Sequence, residues 1–450
     1  MHRMLNDDPS AGGGDLRLSA PPQRLGRLAL ITPWDDLCGI AAYSRHLRAA
    51  LAPFFDIEVL ELDGDVLRSS HPRLMKLGDE AIAAHVRRLR DFDYVNLQLE
   101  HGTLGERPHD IHRRFLALVD ASRNLTVTFH TVLSAPPYPI GAILGGVKRL
   151  NPWRVLQHHQ HFKKQQMLAE GVYAALRRAQ RTKPIKAVVH TKREWKRFST
   201  TEGLAAVHHH PLAFLGRDRI DALRADGGRH AFPALAALPP DALVIGVFGF
   251  ISGYKNFDFV IQALRYLPAN VHLAVFGGVN LKGLKEREAR ARDLEPLFAA
   301  GRFDEDLPAA APARPAPTGE PQLHPANLMR RVHFLGAMSD DDFFRGMVAC
   351  DLVAFPYQEV GQTSSGPISQ AVELGCRVLA ARTHAFTEFG RYHPERIGFY
   401  DVGNLVEFVE KARLMMARPK PAGTPAYHLD SAVRTYVEAI TSVAPTGAGA

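Results

Sequence analysis

Short apolar runs, each followed by an amphipathic helical stretch, recur along this chain and then restart after a proline-punctuated interval. That rhythm constrains the fold more than any other feature. Residues 26–34 (GRLALITPW) read as a buried strand, and the turn after them leads into a helix whose apolar residues Ile40, Tyr43, Leu47 and Leu51 recur at helical spacing. Further strands are expected at 55–62, 94–99, 125–130, 187–190 and 206–210, with a charged helix around 79–90. The pattern resumes with a strand at 243–250 (LVIGVFGF), a helix over 256–267, and strands at 271–276, 332–335, 352–355 and 377–380. Strands alternating with helices predict βαβ units and parallel sheets. A chain of 450 residues exceeds one ordinary core, so the expectation is an α/β protein of two domains. Parallel sheets bind ligands beyond the carboxyl ends of their strands. Gly39, Glu100, His101 and His130 all fall just past predicted strand ends.

The expected organisation is a disordered polar tail over 1–25, a first domain over 26–215, a linker over 216–240, a second domain over 241–420, and a returning helix within 421–450. Pro233, Pro239 and Pro240 mark the linker, and a Pro- and Ala-rich stretch at 300–325 reads as a mobile insertion. The tail lacks the apolar block of a signal peptide, and no run approaches the ~20 apolar residues of a membrane span. Three scattered cysteines give neither a disulfide framework nor a metal-ligand spacing, which points to the cytoplasm. His158, His159 and His161, and the run His208–His210, lack the companion ligands a metal needs, so no metal is expected. Lys and Arg exceed Asp and Glu by 55 to 47, which suits phosphate-bearing ligands or an anionic membrane surface. The basic helical stretch from 148 to 186 reads either as a solvated face or as a peripheral contact with acidic lipid at the inner face of the membrane. It lacks a nucleic-acid reading motif, so nucleic acid is not an expected partner.

The chemistry centres on 352–380. An apolar strand runs into the loop Gly361-Gln362-Thr363-Ser364-Ser365-Gly366, and Pro367 then opens a short helix stopped by Gly375. Strand, polar loop and helix N-terminus together aim free N–H groups and a positive dipole at one spot, which suits a phosphate. Lys255, in the loop GFISGYKN, can neutralise a diphosphate, although a solvated surface lysine fits the same residues. The glycines there match neither a dinucleotide fingerprint nor a P-loop. His130 is placed to bond a sugar hydroxyl, or equally to pack at a strand end.

With those residues in view, the chain resembles retaining glycosyltransferases of family 4, most specifically over VHFLGAMSDDDFFRGMVACDLVAFPY and TSSGPISQAVELGCRVLA. The resemblance implies a GT-B fold, with two Rossmann-like domains facing each other across a cleft. It implies a nucleotide-sugar donor held as substrate, no cofactor, and a glycan or lipid-linked acceptor in cell-surface glycan synthesis. By the same resemblance Gly39 lies near the donor phosphates, His130 near the transferred sugar, Lys255 on the diphosphate, and Phe334 and Leu335 at the base. Thr363, Ser364 and Ser365 form the donor loop. The chain departs from the family at Phe250, where an arginine is usual, and at Gln362 and Gln370, which replace two glutamates. Gln bonds hydroxyls but carries no charge. Glu359 and Glu373, three residues from each, are the candidates to compensate. Two competing readings follow: a catalytically weak scaffold subunit, and a nucleotide-sugar epimerase.

Overall fold

The structure is a computed structural model that describes residues 24–36, 38–134, 137–149, 151–279, 290–302, 328–361 and 364–442. The expected tail up to residue 23 and the expected insertion from 303 onward lie outside the described residues. The chain divides into two compact units, Met1–His210 with Asp430–Ala450, and Pro211–Leu429.

In the first unit, β1 (Arg27–Thr32), β2 (Asp56–Glu61), β3 (Tyr94–Leu99), β4 (Leu125–Phe129), β5 (Ile185–Val189) and β6 (Val207–His209) form one sheet in the order β2-β1-β3-β4-β5-β6. Every neighbouring pair is parallel. β4 and β5 are buried along their whole length, because helices cover both faces of such a sheet and leave no polar side. Continuous apolar runs, rather than alternation, are therefore what these strands spell in sequence. The last helix, Leu429–Thr441, joins this unit from Asp430 onward. Tyr43 donates to the Tyr436 hydroxyl at 3.0 Å, and the buried Lys186 ammonium donates to the Ile440 carbonyl at 3.1 Å.

In the second unit, β7 (Leu243–Phe248), β8 (Val271–Phe276), β9 (Val332–Gly336), β10 (Leu352–Phe355), β11 (Val378–Ala381) and β12 (Ile397–Tyr400) form a parallel sheet in the order β12-β11-β10-β7-β8-β9. The chain winds outward from β7 through β9, returns to β10 beside β7, and winds outward the other way. The strand order thus reverses between β7 and β10, and a crevice opens past their carboxyl ends in any doubly wound sheet. The first sheet reverses in the same way between β1 and β3.

The interval 216–240 is not a linker. It holds the helices Arg217–Asp226 and Pro233–Ala236, which bury Ile220, Leu223 and Leu235 within the second unit. The division falls instead at His210/Pro211. Pro233 occupies the first turn of its helix, where a missing N–H costs nothing.

Candidate anion-binding site at the second sheet

The loop leaving β7 turns at Gly249, whose φ of +102° only glycine adopts without strain. It then makes a 3-10 turn, Gly253–Lys255, with Asn256 left-handed at φ +56° before the helix Phe257–Ala263. This path folds Lys255 back under the sheet edge. Its side chain is buried, and burial lowers its pKa from 10.5 to about 7. Among the described residues its ammonium makes no hydrogen bond and no ion pair. The ring of Tyr357, whose centroid lies 5.8 Å away, is a favourable neighbour.

The loop leaving β10 meets the lysine loop directly. Gln358 N donates to the Tyr254 carbonyl at 2.7 Å, and the Tyr254 and Tyr357 rings pack edge to face at 5.5 Å. The helix Gly366–Glu373 starts close by: a β-carbon on Gly249 would collide with Lys255 Nζ and stand 3.8 Å from Pro367 Cγ. Ser365 precedes this helix without a side-chain capping bond to its first-turn amides. Gln370 Oε1 is buried with no partner among the described residues, while the buried Tyr357 hydroxyl faces Ser365 and the buried Ser252 hydroxyl faces Tyr254. Burial drives the Tyr357 phenol far above its ordinary pKa, so it stays a donor. A buried lysine with no ion pair among the described residues, beside a helix start that its N-cap side chain does not cap, is an arrangement that can receive an anion.

Lys255 and Ser365 thus lie on adjoining loops, both reached by Tyr357, and Gln370 sits on the helix that follows Ser365. Ser364 is half-buried on the same loop, while Gln362 and Thr363 lie outside the described residues. Phe334 is an exposed ring on β9, packed against Phe298 at 5.6 Å, and Leu335 follows it half-buried. Phe250 is exposed at the rim. Sequence reasoning missed Tyr357 and Ser252. The aromatic pair flanking the two loops, Tyr254 and Tyr357, was the available signal.

Glu359 and Glu373 do not supply the missing charge. Glu359 accepts from Gly361 N at 3.0 Å and His384 N at 2.6 Å, bracing its own loop. The buried Glu373 carboxylate accepts from Phe214 N at 2.9 and 3.1 Å and from Leu215 N at 3.3 Å. Glu373→Gln keeps the shape but loses charge-assisted bonds. It is expected to cost about 1–3 kcal/mol of stability in a denaturant titration, with nucleotide affinity unchanged.

In the first unit, Gly39 opens the helix Gly39–Leu51, exposed, with Cys38 Sγ capping Ala41 N. His130 is buried past the end of β4. Its Nε2 lies 2.8 Å from Gln98 Oε1, and its ring packs on Tyr43 at 5.3 Å and on His190 at 5.4 Å. Burial, with His190 beside it, holds its pKa well below the ordinary value, so the ring is neutral. Past β3, Glu100 accepts from Thr131 Oγ1 at 2.6 Å, and burial raises its pKa.

No family model matches the chain, and no curated protein does. Among solved structures it is similar to HepE of Anabaena in complex with UDP and glucose, at 15% identity and TM-score 0.51, over 91% of this chain and 94% of that one. It is similar to the sucrose-phosphate synthase of Thermosynechococcus elongatus at 13% and 0.53, over 93% and 95%. It is also similar to a protein described as a candidate UDP-N-acetylglucosamine 2-epimerase of Listeria monocytogenes, at 13% and 0.52, over 92% and 95%. Likeness at these identities establishes the fold, the α/β GT-B architecture built from two Rossmann-like units.

Proposed function

We propose that the chain is a glycosyltransferase that takes its sugar from a nucleotide-diphosphate donor, with Lys255 receiving the diphosphate. The observation that carries this reading is the buried Lys255 ammonium, with no anion beside it among the described residues, at the β7/β10 reversal. Solved structures of the same fold include one holding UDP and glucose, which supports a donor of that class.

The chemistry follows from where charge grows. As the bond from the sugar to the leaving phosphate breaks, negative charge collects on the diphosphate. A fixed ammonium and the open amides of the helix Gly366–Glu373 stabilise that charge more in the transition state than before it. Tyr357 and Ser252 hydroxyls add donors. In this reading the incoming hydroxyl attacks from the face the diphosphate leaves, and its proton passes to a phosphate oxygen. The configuration is retained without a carboxylate nucleophile. The acceptor is a lipid-linked or polysaccharide intermediate of cell-surface glycan synthesis.

Purified protein is incubated with UDP-, GDP- and ADP-sugars, and melting temperature and sugar release are followed with and without glycan and lipid-linked acceptors. The reading expects one donor class to stabilise the protein and acceptor to accelerate release. Absence of both with every donor would refute it. Gln370, buried with its carbonyl oxygen unpartnered among the described residues, favours one alternative, a subunit that binds donor without transferring. Binding without product under all acceptors selects that alternative. An altered sugar nucleotide formed without acceptor selects an epimerase.

A further inference from the structure

The crossover from β4 to β5 carries two helices, Ile140–Lys148 and Pro152–Gln166, that contribute nothing to the core of the first unit. No residue of the second is buried, and no described side chain of the first is. The following helix, Val172–Ala179, instead buries Val172, Tyr173 and Leu176 against the sheet. The two exposed helices pack on each other, and Tyr138, just before the first, packs edge to face with Phe162 at 4.9 Å and bonds His159 Nδ1 at 3.2 Å.

Their outer surface combines two chemistries. Trp153 is 67% exposed, Ile140 60% and Leu144 54%, with Leu156 and Tyr138 beside them. Large apolar side chains clustered at such exposure mark a surface that meets something apolar. The same helical stretch carries Lys148, Arg149, Arg154, Lys163 and Lys164, all exposed, and the sequence from Ala121 to Ala169 contains no Asp or Glu. A polyanion would be met by the cations alone and would leave Ile140, Leu144 and Trp153 in water. A bilayer with anionic headgroups satisfies both sets: phosphates take the Lys and Arg side chains while the apolar residues enter the acyl boundary. No helix among the described residues is long and apolar enough to cross a membrane, so the contact is peripheral.

We propose that this helical pair is a docking face for anionic lipid bilayers. It belongs to the first unit and does not depend on the reading of the Lys255 site.

The test uses the full chain sedimented with vesicles of phosphatidylcholine alone or mixed with phosphatidylglycerol. Binding is expected only to the mixed vesicles, falling at least about tenfold when salt is raised to about 0.5 M. Brominated acyl chains should quench tryptophan fluorescence in the wild type and not in Trp153→Phe. Ile140→Ser/Leu144→Ser is expected to lower vesicle binding at least about tenfold with an unchanged melting temperature, since both side chains already lie in water. Lys163→Glu/Lys164→Glu should do the same while nucleotide-sugar affinity is kept. Equal binding to both vesicle types would overturn the proposal. So would the absence of quenching, or vesicle binding unaffected by the Ile140/Leu144 change while duplex DNA binds equally well, which would mark a general polyanion surface instead.

Discussion

Lys255→Met is expected to abolish nucleotide-sugar binding and, at the same time, to raise the melting temperature of the free protein. The two effects have one cause. An ammonium held out of water with no counter-charge costs the native state free energy, and methionine fills the same space without that cost. The donor loses the cation that meets its diphosphate, and loss of such a preorganised charge typically slows transfer by about 10²–10³-fold. The stability difference also depends on pH in a defined direction. The folded-state pKa lies near 7 and the ordinary value is 10.5, so between them the unfolded chain binds more protons than the native one. Wild-type stability therefore gains from this group as pH rises through that window. The advantage of the methionine variant is expected to be full below pH ~7, to shrink across the window and to vanish above it. A methionine variant that melts lower at pH 6 would show that the lysine is paired.

Gly277→Ala is expected to damage both stability and donor binding. Gly277 follows β8 with φ at +149°, a region that side chains avoid, and a β-carbon there would run into the Gly249 carbonyl. The loops leaving β7 and β8 lie backbone to backbone at that point, fixed by Gly249 N on the Phe276 carbonyl at 2.9 Å and Ile251 N on the Gly278 carbonyl at 2.9 Å. The substitution should cost ~2–4 kcal/mol through strain and collision. Because Gly249 and Lys255 share a loop, the ammonium is displaced, and donor affinity should fall at least about tenfold. Gly102→Ala is the control: a β-carbon there meets nothing within 4 Å, and its stability should stay within about 0.5 kcal/mol of the wild type. Equal melting temperatures for the two variants would remove the steric argument.

The fold was legible because both sheets are parallel and covered on both faces, so their strands read as unbroken apolar runs such as Leu243–Phe248. Lys255 was legible as a lysine among glycines beyond a strand. Its burial was not, since that depends on the left-handed Asn256 and on Tyr357 from the loop after β10, far away in sequence. The role of Glu373 was hidden for the same reason: its partners, Phe214 and Leu215, come from a segment that reads as a domain end. The interval 216–240 was misread because prolines can punctuate a linker or start a helix, and only the burial of Ile220, Leu223 and Leu235 separates the two. His130 shows the opposite limit. Its position past a strand invites a ligand role, whereas within its own unit it bonds Gln98 and packs on Tyr43 and His190.

Proton uptake on donor binding probes the Lys255 assignment most directly. A nucleotide-diphosphate sugar has no group titrating near pH 8, whereas Lys255, with a pKa of about 7, is mostly neutral there in the free protein. A diphosphate beside it favours the charged form, so binding draws a proton from solution. Calorimetric titrations at pH 8 in two buffers of different ionisation enthalpy should give close to one proton taken up per donor bound by the wild type. Wild-type binding with no proton uptake would contradict the claim that this ammonium receives the diphosphate.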